Sequence, residues 1–315
     1  MNMKNYDLQL FAEDNTQTTE NLSQDMKVFY SEYLIDNAGP KLVHDQFGQK
    51  HPIPVGGGKT IRFRKYSPLP KLTEKLTEGV TPDGQSLTVS TVEATVEQYG
   101  GYITLSDVLL LTAVDNNMVQ ATKLLGAQAG ATLDTITREV LCGGTNVVYA
   151  GGAASREGLT ANLTVDDIKK AVRALKTQNA EKIGNSFVAI IHPDVAYDLT
   201  SDPEWQKVKE YDPKDWYEGE IGRIAGCRFV ETTEAKIFEG GVYATLILGE
   251  NAYGVTEIQG GGLQHIVKQL GSAGTGDPLD QRATVGWKAT RAAERLVEQF
   301  MVRIESKCSF AGEAN

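Results

Sequence analysis

Two glycine clusters bracket the segment that most constrains how this chain can fold. Glycines occupy positions 56–58 and 100–101. Between them, residues 60–66 alternate apolar and basic side chains, which is typical of a strand. Residues 87–99 form a second strand-like run, whose apolar phase changes near Thr91 as at a bulge or a crossover between faces. About twenty residues with turn signals separate the runs, so we predict a long β-hairpin with an extended tip and a flexible glycine hinge at each end.

A two-stranded hairpin is at best marginally stable in water, so this one needs a partner. It carries apolar residues on both faces, and its own span holds no helix that would cover them. The hairpin therefore packs either on its own body or on a neighbouring subunit. The hinges favour an arm that projects away from the body, and we expect the second arrangement. The charged residues Lys71, Glu74, Lys75 and Glu78 indicate a solvated tip or, as the alternative, a salt-sensitive contact to a neighbouring subunit.

The N-terminal fifty residues are predicted to be an arm. Residues 1–25 are mostly polar, so we expect this stretch to be poorly ordered. Residues 26–37 place apolar side chains three and four positions apart, which predicts a short amphipathic helix that stops before Gly39 and Pro40.

Apolar residues recur every three or four positions from Met118 to Val140 and predict a long helix. Asp115 is the expected N-cap, and the glycines at 143–144 mark the C-terminal end. About 26 residues at 1.5 Å each give a helix of roughly 40 Å. Gly126 and Gly130 cost helix stability in a stretch rich in small residues, so we expect another backbone to approach closely there.

Helix and strand patterns alternate over residues 164–250. Thr164 followed by acids predicts a capped helix start, in which Asp166 and Asp167 serve the cap rather than chemistry. Further strands are predicted at 186–191, 227–230, 242–248 and 285–289, a short helix after His192, and a loop-rich tip at 205–216. Residues 296–304 suit a helix or a strand, and we favour a strand for their last half. The fold class is α+β.

Composition narrows the classes of function. The chain has 315 residues, which suggests two domains, and an ordinary share of apolar side chains, 41%, which excludes bulk disorder. Its net charge of −10 repels nucleic-acid phosphates on average, so the sequence does not predict direct binding of nucleic acid, although it leaves room for locally basic surfaces. We find neither a membrane-spanning apolar run nor a signal-peptide core. The cysteines Cys142, Cys227 and Cys308 are widely spaced, which predicts buried reduced thiols.

Patterns that carry chemistry are weak. Glycines 56–58 with Lys59 and Thr60 resemble part of a phosphate-binding loop, but Ile53 stands where that motif needs its first glycine, and a strand rather than a helix follows. His192 ends a buried strand, where open α/β sheets often place active sites, but a polar strand end that satisfies backbone groups is the simpler interpretation. We predict no catalytic, cofactor-binding or metal-binding residue.

The order of elements and four local motifs resemble the major capsid proteins of tailed bacteriophages, in the branch typified by podoviruses. The motifs lie at residues 6–13 (YDLQLFAE), 191–199 (IHPDVAYDL), 224–230 (IAGCRFV) and 285–289 (VGWKA). The resemblance covers nearly the whole chain. It implies a tailed-phage capsid fold with an N-terminal arm at 1–50, an extended loop at 51–101, a peripheral domain with a long spine helix at 102–163 and 265–315, and an axial domain at 164–264.

The resemblance also implies a structural protein whose function resides in its surfaces. Copies assemble as hexamers and pentamers into an icosahedral head around double-stranded DNA. The implied partners are other copies of the chain, a separate scaffolding protein, the portal, a decoration protein, and packaged DNA through weak non-specific contact. No membrane partner is implied, and the implied location is the virion, with the host cytoplasm during assembly.

Two alternatives remain open at this stage. The first is an encapsulin-like shell of a cellular nanocompartment, which shares the fold and encloses an enzyme cargo. The second, from another class, is a soluble α/β enzyme with a site near His192.

Overall fold

The computed structural model describes residues 16–17, 43–66, 69–75, 78–79, 81, 83–113, 117–206, 222–272, 276–310, 312 and 314–315. The chain divides into two compact units. We call residues 1–40, 98–132 and 261–290 the smaller unit, and residues 41–97, 133–260 and 291–315 the larger unit. The helix predicted at 26–37 and residues 207–216 of the tip predicted at 205–216 lie outside the described residues, and Trp205 is buried.

Fifteen strands are assigned in the described part of the chain. They are β1 (Thr16–Gln17), β2 (Gln49–Lys50), β3 (Thr60–Tyr66), β4 (Val89–Thr95), β5 (Glu97–Ser106), β6 (Val147–Tyr149), β7 (Phe187–Ile191), β8 (Arg223–Ile224), β9 (Cys227–Glu231), β10 (Ile237–Phe238), β11 (Val242–Leu248), β12 (Tyr253–Thr256), β13 (Gln264–Lys268), β14 (Arg282–Arg295) and β15 (Met301–Ser306). The helices are α1 (Asp107–Thr112), α2 (Asn117–Cys142), α3 (Val165–Thr177) and α4 (Pro193–Thr200). Helix α2 and strand β14 contribute residues to both units.

A seven-stranded sheet forms the core of the larger unit. Its order is β6-β15-β11-β7-β9-β8, and β10 pairs with β11. Strands β7, β11 and β15 are buried along their whole length, because one apolar cluster with α3 and α4 covers one face and a second cluster with Leu141 and Tyr253 covers the other. This explains why the strands appear in the sequence as continuous apolar runs. The strands predicted at 186–191, 227–230 and 242–248 are confirmed.

Helix α3 begins as the capping pattern predicts. The Thr164 hydroxyl accepts a hydrogen bond from the Asp167 amide at 3.3 Å and donates to the Asp167 carboxylate at 2.7 Å. Asp166 forms an ion pair with Lys170 one turn further on, at 2.8 Å. Both acids therefore stabilise the helix start, as expected from the sequence.

The C-terminal strand β15 lies between β6 and β11 in the seven-stranded sheet. It therefore connects residues 102–163, which contain β6, with residues 164–264, which contain β11. Apolar clusters on the two faces of the sheet bury β15 along its whole length. The preference for a strand over the last half of 296–304 is confirmed.

A buried ionic network joins β15 to the end of α2. Arg303 donates to the carbonyls of Cys142 and Gly144, and to the Glu305 carboxylate at 2.9 Å. Glu305 is fully buried and also binds Arg156 through two hydrogen bonds of 2.7 Å. The last carbonyls of a helix lack intrahelical donors, and here a buried arginine supplies them.

Arg303→Leu is expected to destabilise the chain by about 3 kcal/mol, because it leaves Glu305 buried with only the half-exposed Arg156 as partner. Urea unfolding followed by circular dichroism measures the change. The matched control is Lys169→Leu, which removes the exposed pair with Glu204 and should leave the unfolding midpoint in place. Equal shifts in the two variants would contradict the structural role of the network.

The predicted long helix is confirmed as α2, with 26 residues from Asn117 to Cys142. Asp115 lies outside the described residues. Gly126 is exposed, and within the described part of the chain a Cβ built on it meets no atom within 4 Å. The expected close approach of another backbone at this glycine is therefore wrong for the single chain.

The smaller unit contains a sheet in which β5 lies between β1 and the first part of β14, and β13 pairs with β14 on its other side. Gly100 and Gly101, predicted to be a hinge, lie inside β5. A Cβ built on Gly100 would lie 2.7 Å from the carbonyl oxygen of Trp287, and one on Gly101 would lie 3.1 Å from Oε1 of Gln128. The hinge prediction is wrong, because these glycines permit close packing in a continuous strand.

Gly100→Ala is expected to cost about 1–3 kcal/mol, because its methyl group collides with the backbone of β14 rather than with a movable side chain. The control is Gly84→Ala, where nothing lies within 4 Å, and its effect should stay within about 0.5 kcal/mol. Thermal and urea unfolding of both variants measure the difference. A true hinge at Gly100 would tolerate alanine as well as Gly84 does.

Candidate assembly surface

The predicted hairpin is formed by β3 and β4. Seven residue pairs connect the strands without interruption, from Thr60 opposite Thr95 to Tyr66 opposite Val89. The phase change expected near Thr91 is wrong, because Thr91 pairs in regular register. The break lies instead at Val96, whose amide donates to the Lys59 carbonyl at 2.8 Å before β5 begins.

One face of the hairpin is anchored on its own chain. Ile61, Phe63, Ala94 and Val96 pack in an apolar cluster with residues that include Ile53, Ile258 and Ala292. This corrects the expectation that the whole hairpin finds its partner on another copy. The residues that cover this face are distant in sequence from β3 and β4, so the span of the hairpin alone could not reveal them.

Phe63 is the largest side chain of this anchor, and its neighbours explain its position. A Cβ built on Gly254 would lie only 2.9 Å from Cζ of Phe63. The Phe63 ring therefore occupies the space that any other residue at 254 would need. His51 adds an edge-on ring contact, with the ring centroids 5.9 Å apart.

The other face and the tip of the hairpin are exposed. Arg62 and Glu93 form a cross-strand ion pair of 2.5 Å on this side. The strands and the tip of the hairpin also carry large apolar side chains with 45–76% of their surface exposed: Tyr66, Leu69, Leu72, Leu87 and Val89. We call these five residues the apolar hairpin surface. Large exposed apolar surface on one segment of a chain is typical of an interaction site.

The base of the hairpin turns at the first glycine cluster. Gly56 and Gly58 have φ values of 83° and 87°, and no atom lies within 4 Å of a Cβ built on either. The Gly57 amide closes the turn on the Pro54 carbonyl at 2.9 Å. Strand β3 follows directly, so the cluster is a turn before a strand and lacks the helix that a phosphate-binding loop needs. The charged tip residues Lys71, Glu74, Lys75 and Glu78 are exposed.

His192, the residue of the enzyme alternative, caps a helix. Its Nδ1 accepts a hydrogen bond from the Asp194 amide at 3.2 Å, at the start of α4. The Asp194 carboxylate accepts a hydrogen bond of 2.8 Å from the Tyr243 hydroxyl, whose pKa is raised, mainly by burial. Burial also lowers the pKa of His192 below 6.5, against the opposing effect of Asp194. These hydrogen bonds satisfy the polar groups where strand β7 ends and helix α4 begins, as the simpler interpretation of the sequence predicted.

The buried cysteines lie in the wrong places to form a nucleophile pair with His192. Cys227 pairs with Phe187 at one end of β7, whereas His192 follows Ile191 at the other end, about 16 Å away. Burial raises the pKa of both Cys142 and Cys227 to about 12, so neither thiol ionises near neutral pH.

The described residues contain no group of three or more His, Cys, Asp or Glu side chains arranged to hold a metal ion. They also contain no helix with the length and apolar character needed to cross a membrane.

Comparison with known proteins identifies the class. Residues 88–299 match the phage capsid protein family, and the chain belongs to this family. It is a structural protein of the phage head shell. No curated protein matches the chain.

Solved capsid structures share the fold. The capsid of cyanophage P-SCSP1u aligns with a TM-score of 0.69 and 14% identity, covering 97% of this chain and all of that one. The capsid of Ralstonia phage GP4 aligns with a TM-score of 0.66 and 13% identity over 89% and 92% of the two chains. The acidic stable capsid of Helicobacter pylori bacteriophage KHP30 aligns with a TM-score of 0.64 and 13% identity over 94% and 100%. The fold predicted from the resemblance is confirmed, and neither the nanocompartment nor the enzyme alternative is favoured.

His192→Asn should retain a side-chain acceptor that caps helix α4. His192→Ala removes this acceptor and is expected to lower the free energy of unfolding by about 1 kcal/mol. The pKa of His192 is lower in the folded chain than in the unfolded chain, so the unfolded chain takes up the proton first as the pH falls. The native chain should therefore lose more stability between pH 8 and pH 5.5 than the Asn variant does. Urea unfolding at both pH values measures this, and identical pH dependence would argue against the capping role.

Proposed function

We propose that the chain assembles as hexamers and pentamers into an icosahedral head that encloses double-stranded viral DNA. Membership of the phage capsid protein family supports this proposal. The observation that carries it at the level of residues is the apolar hairpin surface, which is exposed on a hairpin whose opposite face is already anchored. Covering these side chains with another copy removes apolar surface from water, and this provides a driving force for assembly.

The parts of the chain then take the following roles. The extended loop at 51–101 lies over the adjacent subunit through the apolar hairpin surface, and the arm at 1–50 clasps another subunit. Residues 164–264 form the axial domain that meets its copies around the local symmetry axes, and residues 102–163 with 265–315 form the peripheral domain. In support, the strands and the tip of this loop carry large apolar side chains that are exposed in the single chain.

Charge supports a loose relation to the packaged genome. The net charge of −10 repels phosphates on average, so contacts with DNA are weak and non-specific and let the DNA slide during packaging and ejection. A separate scaffolding protein, a portal and a decoration protein are the proposed further partners. Assembly takes place in the host cytoplasm, and the mature protein is a component of the virion.

Deleting residues 67–86 should leave a folded subunit that forms no shells, because the deletion removes the tip with Leu69 and Leu72 of the apolar hairpin surface and spares β3 and β4. Negative-stain microscopy and size-exclusion chromatography of the chain, expressed with and without its neighbouring genes, measure shell formation. Circular dichroism checks that the subunit is folded.

Point variants separate the apolar surface from the charge of the tip. Leu72→Asp with Leu87→Asp should abolish shells, whereas Thr73→Asp with Ser86→Asp adds the same charge at exposed polar positions and should preserve them. Normal shells from the leucine variant would contradict the proposed role of the hairpin.

A further inference from the structure

The larger unit contains a groove beside the base of the hairpin that the assembly surface above does not use. The groove has a volume of about 540 Å³. Phe63, Leu296 and Val297 supply apolar walls, and His51, Arg64 and Lys65 supply positive or titratable groups. A volume of this size is ordinary for a site that accommodates several side chains.

The local charge of the groove is opposite to that of the whole chain. Among the described residues, none of those that line the groove is acidic, although the chain carries a net charge of −10. Arg62 also lies along the groove, but Glu93 neutralises it at 2.5 Å. Arg64 is exposed and Lys65 is half-buried. The groove therefore combines an apolar wall with a cationic rim, which is the complement of an acidic apolar peptide.

The walls of the groove are fixed by packing. Phe63 lies against Gly254, where Leu296 also approaches to within 3.3 Å of the Cβ position. Gln49 and Asn251 close one end through a hydrogen bond between their side-chain amides. Because these residues come from three distant parts of the chain, the groove is part of the folded larger unit.

We propose that this groove binds residues 6–14 of a neighbouring copy of the chain. This segment carries Asp7, Glu13 and Asp14, no lysine or arginine, and the large apolar side chains Leu8, Leu10 and Phe11. Its acids match the cationic rim, and its apolar residues match the wall of Phe63, Leu296 and Val297. The inference rests on the proposed function, because it needs copies held in contact.

Strand β1 fixes the chain close to the end of this segment. Thr16 and Gln17 pair with Thr104 and Leu105 of β5, two positions after the segment ends. Nine extended residues span about 30 Å, roughly the width of a small domain. Residues 207–221 are a poorer match because they include Lys207, Lys209 and Lys214. Nucleic-acid phosphates are also a poorer match, because they leave the apolar wall uncovered.

Charge reversal tests the proposal. Arg64→Glu with Lys65→Glu should lower shell yield by about tenfold or more, because the rim would then repel the segment. Adding Asp7→Lys and Glu13→Lys should restore shells. The control is Arg173→Glu with Lys176→Glu, which makes the same charge change at exposed positions of α3. If this control lowers shell yield, the arm substitutions should not restore it. If the arm substitutions do not restore shell formation in the groove variant, the proposal is overturned. Binding of nucleic-acid phosphates in the groove would give that result.

Cross-linking in assembled shells tests the contact directly. In a Cys308→Ser background, Leu10→Cys with Val297→Cys should form disulfide-linked chain multimers on oxidation, whereas Leu10→Cys with the exposed Val55→Cys should not. Shells that form normally but give no multimers, or only a link within one chain, overturn the groove assignment and leave the proposed function intact. Absence of shells from the unsubstituted chain under all conditions overturns the proposed function itself.

Discussion

The contact between Phe63 and Gly254 holds the hairpin to its own subunit, and the role of the hairpin depends on this contact. Because Gly254 has no side chain, the Phe63 ring can lie against the backbone of β12, and Ile61, Ala94 and Val96 follow it into the same cluster. The strands alternate, so burying this face leaves Arg62, Arg64 and Tyr66 on the other. A single anchored face thus gives the hairpin a fixed base and an exposed surface for a partner.

Buried ionic groups hold the distant parts of the larger unit in register. The Asp134 carboxylate, fully buried on α2, accepts hydrogen bonds from the amides of Val43 and His44 and from the His44 ring at 2.7–2.9 Å. Asp45 accepts one from Thr137 and pairs with Arg291. Apolar packing alone tolerates small slips, whereas a buried charge left without its partner costs several kcal/mol. These contacts therefore fix residues 43–45 against helix α2 and Arg291.

Local features of the fold could be predicted from the sequence, and long-range contacts could not. Strand β3, helix α2 and the Thr164 cap depend on spacing within a few residues, and each was predicted with nearly correct bounds. The Asp134 contact joins residues about ninety positions apart without a local signal. The groove could not be predicted from the sequence for the same reason, because Phe63 and Leu296 come together only in the folded chain. The prediction of a hinge at Gly100 and Gly101 was wrong for this reason, because only the folded chain brings Trp287 against them.

The two glycine clusters consequently have different mechanical roles. Gly56 and Gly58 have left-handed φ values and open space around them, so their backbone can change without displacing a neighbour. Gly100 lies in a paired strand against the backbone of Trp287, and any change there must break that packing. If copies of the chain occupy unequal positions in a shell, the turn of residues 54–58 can change its backbone more cheaply than the paired strand at Gly100 can. Strands β3 and β4 are joined by seven residue pairs and anchored through Phe63, so they keep their place while the turn changes.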